Sequence, residues 1–442
     1  MATSGYKLRI RVLSPCVFFL MLAFGATVFA QTTDTERTQN IRNQLLKQQA
    51  APAISQDLEV MRNDTKNAMD ALVSRIVELE KSIVDLKAKI RVLEARTTPP
   101  NNVMNAPVGN GKAARKTGKM QVSLCNTGCD ASKFADAVIM LNDGGTLTVK
   151  PGVYFDCITI KKSMKLIGEI APDGSRAHLR KIACRGKAAI NLNAPDVEIH
   201  GLKISEIAVP SLNGACVRVG DAVKTLLIKD IICLDSENGL LGRANNLDGV
   251  ITIENSTFEG HGKSGKAHGI YINGGAKAIL RNVNILSINE GHVLKTGARE
   301  TLVEDSVLAA LQSRSGAAIN AYGGGKLTVR NSVLQLGPNS ENNNFLAYAD
   351  EPQRTVTGGV HEILIEKSWI IYDDPARCCR WLFSQRSNIL DEIVMRNNKF
   401  VGGITPNKET VTIANNKEFA DRAAAGLKEY NGTLASLPRP GS

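Results

Sequence analysis

Aromatic residues are scarce in this sequence, since Phe, Trp and Tyr together make up 5% of its 442 residues. Hydrophobic residues make up 43% and charged residues 22%, and these proportions exclude a wholly disordered chain, a collagen and a polytopic membrane protein. Glycine, by contrast, occurs 38 times. Few aromatics and many glycines favour a turn-rich, repetitive architecture, and the length allows two or three domains.

Long apolar runs are also lacking, apart from one near the start of the chain. Lys7, Arg9 and Arg11 precede an apolar run over 12–24, and small residues follow up to Ala30. This order of positive, apolar and small residues is typical of a secretory signal peptide, which we predict over residues 1–30. An uncleaved membrane anchor is the alternative, but the run is short for a bilayer span.

Acidic residues are outnumbered by basic ones, 43 against 54, and the formal charge of +11 raises the question of a nucleic-acid partner. Three of the basic residues lie in the predicted signal peptide, and residues 31–119 hold 15 basic against 10 acidic residues. The rest of the chain therefore carries a charge of only +3. Since this main domain is nearly balanced, we expect no nucleic-acid partner.

Histidines at zinc-finger spacing are absent, which disfavours zinc binding by the cysteines. Whether the cysteines form disulfides depends on whether the chain is exported. Eight of the nine cysteines follow the predicted signal peptide, and an even number in an exported chain predicts disulfide bonds. Cys125 and Cys129 either close a small loop or, with a distant pair, hold zinc. We expect disulfides, no metal, no cofactor, and a secreted or periplasmic location. The eight are Cys125, Cys129, Cys157, Cys184, Cys216, Cys233, Cys378 and Cys379.

A helical stalk precedes the main domain. From Met69 to Leu93, apolar residues recur at alternating spacings of three and four, with Ile and Leu dominating the two heptad core positions. We predict a coiled-coil stalk over 31–96 that forms a homo-oligomer, a dimer or a trimer, through 58–96. A single amphipathic helix packed on its own domain is the alternative. Residues 97–119, rich in Pro, Asn, Gly and Lys, are predicted to be a flexible linker.

The remaining chain is a repeat without a helical period. Short β-branched runs such as VEIHGLKI and ITIENSTF each contain a turn residue, and these turn residues recur every 23 to 36 positions. A repeat of this size built from short strands predicts stacked β coils over 120–405. The widest gap, from 331 to 367, predicts a loop that protrudes from one face. The turn residues are Gly201, Asp230, Asn255, Asn282, Asp305, Asn331, Lys367 and Asn397.

The residue before each turn residue is ionisable, and its sign alternates through seven successive coils, from Lys229 to Arg396. If the coils stack in parallel, equivalent residues lie about 4.8 Å apart and unlike charges form a ladder along an outer face. Like charges in that column would disfavour a slipped register. The ladder residues are His200, Lys229, Glu254, Arg281, Glu304, Arg330, Glu366 and Arg396.

The segment GGTLTVKPGVYFDCITIKKSMKLIGE, residues 144–169, resembles the opening coils of right-handed parallel β-helix proteins of the pectate-lyase-like superfamily. The resemblance extends over about residues 120–405 and implies an all-β, right-handed parallel β-helix. It also implies a groove for a glycan along the parallel sheets, flanked by protruding loops. The superfamily includes polysaccharide lyases, hydrolases, epimerases, phage tailspikes and non-catalytic surface proteins, so the fold alone does not choose an activity.

Two consecutive coils hold the densest polar chemistry, HGKSGKAHGIYI at 261–272 and GHVLKTGAR at 291–299. For a uronate polymer, β-elimination requires a base that removes the proton next to the carboxylate and a cation that stabilises the developing charge. We expect a His or Lys as the base and an Arg or Lys as the cation. The predicted catalytic residues are His268, His292, Lys295 and Arg299, and the predicted substrate-binding residues are Tyr271, Asn320 and Tyr322.

Counting back from the turn residues places Tyr271 and Asn320 on one face, two coils apart. The same count makes Lys295 equivalent to Ile272 and places it near the edge of that face, with His292 and Tyr322. On this basis Tyr271 either donates a proton to the leaving oxygen or stacks on a sugar ring.

We therefore predict an exported protein that binds a polysaccharide and, if it is catalytic, cleaves it by β-elimination. A non-catalytic scaffold or adhesin displayed on an oligomeric stalk is the alternative. The sequence lacks a row of outward Asp residues for calcium and the Asp-Pro-His-Asp motif of epimerases. Residues 406–442 are predicted to be a C-terminal cap and tail, with a short helix over the last coil, and 120–143 to cap the other end.

Overall fold

The computed structural model describes Glu78 and residues 118–442, except 244–247, 342–343, 355, 357–358, 375–379, 386–388 and 406–410. The predicted signal peptide, coiled-coil stalk and most of the linker lie outside the described residues, as do the predicted oligomer contacts and the last two cysteines. Within the described part of the chain, no helix is long and apolar enough to cross a membrane.

From residue 119 onward the chain winds through three parallel β-sheets, called sheets 1, 2 and 3 in the order in which each coil passes through them. Each strand pairs in parallel with its equivalent in the next coil, which confirms the predicted parallel β-helix. Sheet 1 contains Lys119–Leu124, Leu141–Val149, Met164–Gly168, Asp196–His200, Thr225–Lys229, Val250–Glu254, Lys277–Arg281, Glu300–Glu304, Lys326–Arg330, Glu362–Glu366, Glu392–Arg396 and Val411–Ala414. Sheet 2 contains Gly152–Tyr154, Ala177–Arg180, Lys203–Ser205, Ile232–Leu234, Thr257–Glu259, Asn284–Leu286, Val307–Ala309, Val333–Leu336, Trp369–Tyr372, Lys399–Val401 and Lys417–Phe419. Sheet 3 contains Ile158–Ile160, Ala188–Leu192, Ala215–Val219, Asn238–Gly242, Ile270–Ile272, Leu294–Thr296, Ile319–Ala321, Asn344–Tyr348, Arg380–Gln385 and Ile404–Thr405.

Alternation of apolar and polar residues explains why these short segments form strands. In Val250–Glu254, Ile251 and Ile253 are buried, and the intervening Thr252 points to the opposite face. β-branched residues fit such a half-buried pleated surface. Because the pairing is in register, Ile253 lies beside Leu280 of the next coil. The inward side chains of successive coils thus form one continuous core along the solenoid.

The turn between sheets 1 and 2 requires left-handed backbone at one residue per coil. All eight turn residues predicted from the sequence have positive φ, from 48° at Asn255 to 68° at Gly201. Gly, Asn and Asp adopt this conformation at low cost, and Lys367, with φ of 51°, is the exception among them. The Asn282 side-chain amide donates to Asn255 Oδ1 over 2.9 Å, which links neighbouring turns.

The predicted charge ladder is confirmed on sheet 1, where its members pair directly from strand to strand. Arg281 lies 3.6 Å from Glu254 and 3.2 Å from Glu304, measured between nitrogen and carboxylate oxygen. Arg330 lies 3.6 Å from Glu304 and 3.9 Å from Glu366. Each exposed pair contributes only about 0.2–1 kcal/mol, but the column opposes any register that brings like charges together.

The N-terminal end of the solenoid is closed by one short helix, Phe134–Met140. Phe134 and Ala137 are fully buried and join the core beside Leu141 and Leu147. This agrees with the predicted cap over 120–143.

The C-terminal segment differs from the prediction of a helix. Strands Val411–Ala414 and Lys417–Phe419 continue sheets 1 and 2, and the chain then forms turns and a single 3-10 turn at Leu434–Ser436. Leu427 and Leu437 pack with Phe419 on an apolar cluster on the outer side of sheet 2. The predicted helix is wrong because the apolar residues of this segment are spaced to contact that flat surface.

Three disulfides link six of the eight cysteines that follow the predicted signal peptide. They are Cys125–Cys129, Cys157–Cys184 and Cys216–Cys233. The first closes a small loop, so these two cysteines take the first of the two alternatives open from the sequence. Disulfides form and persist in oxidising compartments, which fits a protein that works outside the cytoplasm.

Candidate functional site

The outward face of sheet 3 brings together residues from three successive coils. Tyr271, Lys295 and Asn320 are direct cross-strand neighbours, while Ile270 and Ile272 on either side of Tyr271 point into the core. The predicted common face of Tyr271 and Asn320 is confirmed, and the predicted place of Lys295 is wrong by one residue. Lys295 therefore lies between the other two and not at the edge of the face.

The length of one turn explains this shift in register. Four residues separate Ile270–Ile272 from Lys277–Arg281, and four separate Ile319–Ala321 from Lys326–Arg330. Only three residues separate Leu294–Thr296 from its strand in sheet 1. Counting back from the turn residues assumed equal lengths, so it misplaced the one coil with the shorter connection.

The Glu351 carboxylate bridges two cations, Lys295 and Arg354, on the outward face of sheet 3. Lys295 Nζ lies 2.6 Å from Glu351 Oε1, and the Arg354 guanidinium lies 2.7 Å from Glu351 Oε2. Glu351 and Arg354 lie between Asn344–Tyr348 of sheet 3 and the next strand of sheet 1, Glu362–Glu366. This is part of the protruding loop that the 331–367 gap predicted, although its site residues were not identified from the sequence.

Arg354 is held by a set of neutral oxygens. Its guanidinium donates to the hydroxyl groups of Tyr271 and Tyr322, each over 2.9 Å, and to Asn273 Oδ1. The Tyr322 hydroxyl also donates to Asn273 Oδ1 over 2.7 Å. The guanidinium carbon lies 4.0 Å from the centre of the Tyr322 ring, and Lys295 Nζ lies 5.2 Å from the centre of the Tyr271 ring. Both cations thus lie in cation–π range of aromatic rings.

Burial and charge determine the ionisation of this cluster. Burial raises the pKa of Tyr322 far above its ordinary value, despite the opposing charge of Arg354, so its hydroxyl stays protonated. Burial also tends to raise the pKa of Glu351, but hydrogen bonds from Lys295 and Arg354 outweigh it and lower the pKa. The cluster therefore holds a carboxylate, two cations and a neutral phenol at neutral pH.

The rings of His268 and His292 stack with their centres 5.3 Å apart and their planes at 13°. The backbone N–H of His292 donates to His268 Nδ1, and that of Ala317 donates to His292 Nδ1, both over 3.0 Å. Neutral His268 therefore carries its hydrogen on Nε2. In His292, Nε2 lies 3.0 Å from Asn320 Nδ2. The lone pair that a base requires is already used by the backbone.

The same two histidines have lowered pKa values. Burial, followed by the charges of His292 and Lys295, lowers the pKa of His268 well below its ordinary value. Burial and the charge of Lys295 lower the pKa of His292 to about 4. Both rings are thus neutral at pH 7. The hydrogen bonds that their Nδ1 atoms accept join neighbouring coils at the edge of sheet 3.

Beside His292, a cleft of about 270 Å³ opens on the edge of sheet 3 where the chain enters it from sheet 2. Glu290 and Glu341 line the cleft, and the Arg314 guanidinium bridges their carboxylates, 3.3 Å from the first. The cleft adjoins the outward row through His292, which contacts Asn320. Its lining residues are Gly265, Glu290, Gly291, His292, Gly316 and Glu341.

Arg299, a predicted catalytic residue, follows the strand Leu294–Thr296 in the short turn to sheet 1. Its backbone N–H donates to the carbonyl of Gly275 over 3.0 Å, and its carbonyl accepts from Lys326 over 2.8 Å. The Arg354 guanidinium contacts the hydroxyl groups of Tyr271 and Tyr322. Among the described residues, no group of three or more His, Cys, Asp or Glu is placed to hold a metal ion.

No family model and no curated protein matches this sequence. The solved structures that it resembles include an alginate lyase from Paenibacillus sp. str. FPU-7, with a TM-score of 0.42, 11% identity, and coverage of 68% of this chain and 99% of that one. Pectate lyase Pel9A has a TM-score of 0.42 and 13% identity, over 74% of this chain and 86% of that one. Pectin methylesterase PemA from Erwinia chrysanthemi has a TM-score of 0.35 and 12% identity, over 72% and 98%. Values this low carry no conclusion about activity.

Proposed function

We propose that the outward face of sheet 3 binds a polysaccharide whose sugars carry carboxylates, outside the cytoplasm. The observation that carries this proposal is the row of Tyr271, Lys295 and Asn320 on adjacent strands, with Arg354 held against it by two tyrosine hydroxyls. Cations and an aromatic ring on one face match the carboxylates and apolar ring faces of uronate sugars. The sequence resemblance to the pectate-lyase-like superfamily supports the same class of ligand.

Each side chain has a role in this proposal. Lys295 and Arg354 bind the carboxylate, and the partly exposed Tyr271 ring packs against the sugar. Asn320 is only 1% exposed and contacts His292 beside them. Tyr322 is only 3% exposed, so it acts as a positioning residue that holds Arg354. Strand spacing of about 4.8 Å lets a glycan that runs along the solenoid contact several coils at once.

A second candidate function is cleavage of the same polymer by β-elimination. The observation that favours it is the hydrogen bond from Arg354 to the Tyr271 hydroxyl, with Lys295 on the adjacent strand. In this mechanism Lys295, once deprotonated, removes the proton next to the carboxylate, and Arg354 stabilises the developing negative charge. Tyr271 then donates its proton to the leaving oxygen.

The proposed setting is export and oligomeric display. The predicted signal peptide and the three disulfides support a secreted or periplasmic protein. The heptads within 58–96 support a homo-oligomer, which would present several glycan-binding faces together and raise the avidity for a polymer.

The experiment that tests both functions uses the full-length chain with polygalacturonate, alginate and neutral dextran. Binding is measured by calorimetry, and cleavage by the ultraviolet absorbance of unsaturated products together with reducing ends. We expect Lys295→Met to reduce binding of the acidic polymers by at least tenfold, since it removes a charge-assisted hydrogen bond. Lys277→Met, which removes an exposed lysine paired with Glu300, is the matched control and should bind normally.

The outcomes separate the alternatives. Binding of acidic polymers that requires Lys295 supports the proposed function, and unsaturated products in addition support β-elimination. Equal binding of dextran, or binding that survives Lys295→Met, contradicts recognition of carboxylates at this face. A folded chain that binds none of the three polymers favours a scaffold.

A further inference from the structure

The Glu351 side chain forms ion pairs with both cations of the candidate site, Lys295 and Arg354. Glu351 Oε1 lies 2.6 Å from Lys295 Nζ, and Glu351 Oε2 lies 2.7 Å from the Arg354 guanidinium. Each carboxylate oxygen contacts one cation, so Glu351 occupies the position that bridges Lys295 and Arg354. The Glu351 side chain is 24% exposed, against 12% for Lys295, so it is the more accessible partner of this pair.

Glu351 can leave the cations without a change in its backbone. Its backbone N–H donates to the carbonyl of Tyr322 over 3.1 Å, and the N–H of Val356 donates to the carbonyl of Gly323 over 2.9 Å. These bonds attach the segment to the neighbouring coil on both sides of Arg354. With the backbone anchored in this way, displacement of Glu351 requires rotation of its side chain.

Arg354 has acceptors other than Glu351 that hold its guanidinium in position. Three further acceptors hold the guanidinium, namely the hydroxyl groups of Tyr271 and Tyr322 and Asn273 Oδ1. None of these acceptors carries a formal charge that would compensate the guanidinium. The site without Glu351 is thus a preformed cation pair that lacks a carboxylate.

We infer that Glu351 is a specificity-determining residue that occupies the place of a substrate carboxylate, and that carboxylated sugars must displace it from Lys295 and Arg354. This inference rests on the proposed glycan-binding function. It means that a weak or isolated anion is excluded by the internal carboxylate. A polymer that also contacts Tyr271 displaces Glu351, because that contact adds to the attraction of its own carboxylate.

The test measures binding of polygalacturonate and of neutral dextran by calorimetry to the full-length chain and its Glu351→Gln variant. Gln keeps the size of the side chain but gives up the ionic attraction for both cations, so we expect affinity for polygalacturonate to rise about tenfold or more. Affinity for dextran should not change. Adding Lys295→Met to Glu351→Gln should remove the gain. Glu254→Gln, which removes an ion-paired carboxylate of the charge ladder, is the matched control and should bind like the wild type.

The outcomes distinguish this inference from the proposed function. If the wild type binds polygalacturonate and Glu351→Gln binds it equally or more weakly, the inference is wrong and glycan binding stands. If neither chain binds, both are wrong. If only Glu351→Gln binds, the inference holds, and the wild-type site is closed to this probe by its own carboxylate. Circular dichroism and thermal unfolding check the fold, and Glu351→Asp, whose shorter side chain weakens both contacts, replaces a variant that fails to fold.

Discussion

Lys295 Nζ lies 2.6 Å from Glu351 Oε1, although 56 residues separate them in the chain. The contact joins an outward side chain of sheet 3 to the loop that leaves the same sheet two coils later. The candidate site therefore forms only when the coils stack, because the two residues are too far apart in the sequence to meet through local structure.

The first prediction concerns the charge ladder. Glu304 lies between Arg281 and Arg330 on sheet 1, within 3.2 and 3.6 Å of them. Glu304→Lys places three positive charges in adjacent coils, and we expect it to lower the free energy of unfolding by about 1 kcal/mol in urea denaturation. Glu304→Gln, which only removes the attraction, should cost less. Equal stability of Glu304→Lys and the wild type would contradict a role of the ladder in register.

The second prediction concerns pH. Burial lowers the pKa of His261 to about 4, and burial together with the charge of Lys295 does the same for His292, against 6.5 for a free ring. Between pH 6.5 and 4 the unfolded chain therefore binds more protons than the folded chain. The contribution of these neutral rings is present above pH 6.5 and is lost as the pH falls towards 4.

Nuclear magnetic resonance titration of the histidine ring signals checks this directly. We expect the signals of His261 and His292 to remain those of neutral rings down to about pH 5, and the urea midpoint to decrease over the same range. Protonation of both rings near pH 6.5 in the folded protein would show that they are accessible to solvent, against the buried positions described above.

The third prediction concerns the disulfides. Cys216 and Cys233 are fully buried and their bond closes a separation of 17 residues. Replacing both by Ala should lower the free energy of unfolding by about 3 kcal/mol, because the unfolded chain regains the entropy of that loop. The matched control replaces Cys125 and Cys129, four residues apart and more exposed, and should cost less. A larger loss in the control would contradict loop length and burial as the cause.

The fourth prediction concerns the C-terminal segment. The Arg422 guanidinium pairs with Asp373, and only 11% and 3% of these side chains are exposed. Arg422→Met leaves the Asp373 carboxylate buried without its cation and should cost about 3–5 kcal/mol in unfolding free energy. Limited proteolysis should then cleave the chain after Phe419, since the segment is released from sheet 2. Lys428→Met, at an exposed position, is the control and should leave both readouts unchanged.

Local sequence signals predicted the repeat and its turns because each coil makes the same kind of turn between sheets 1 and 2. A residue with left-handed backbone follows the sheet 1 strands of the repeat, and Asn255, Asn282 and Asn331 meet this requirement visibly in the sequence. The spacing of the repeat also predicted that Arg281 and Glu304, which carry unlike charges, lie side by side on adjacent strands. The C-terminal helix was predicted wrongly, because its composition suits a helix while the available surface on sheet 2 favours an extended, turning chain.

The candidate site was predicted only in part. Tyr271, Lys295 and Asn320 were identified because they lie on strands of the repeat, whereas the register of Lys295 depended on a turn one residue shorter than its neighbours. Glu351 and Arg354 lie in a loop without periodicity, so no spacing in the sequence indicated their contact with Lys295. The hydrogen bonds that His268 and His292 accept at Nδ1 come from neighbouring coils, so the sequence did not indicate them.

The sequence by itself determined that this chain forms stacked parallel coils, since periodic turn residues and alternating charges act between neighbours of known spacing. Only the tertiary structure decided which side chains meet on the face of sheet 3. Contacts such as Lys295 with Glu351, or Arg354 with Tyr271, depend on how far each connection carries the chain before the next strand begins. Those lengths vary from coil to coil, and their effect on which side chains meet is visible only in the stacked coils.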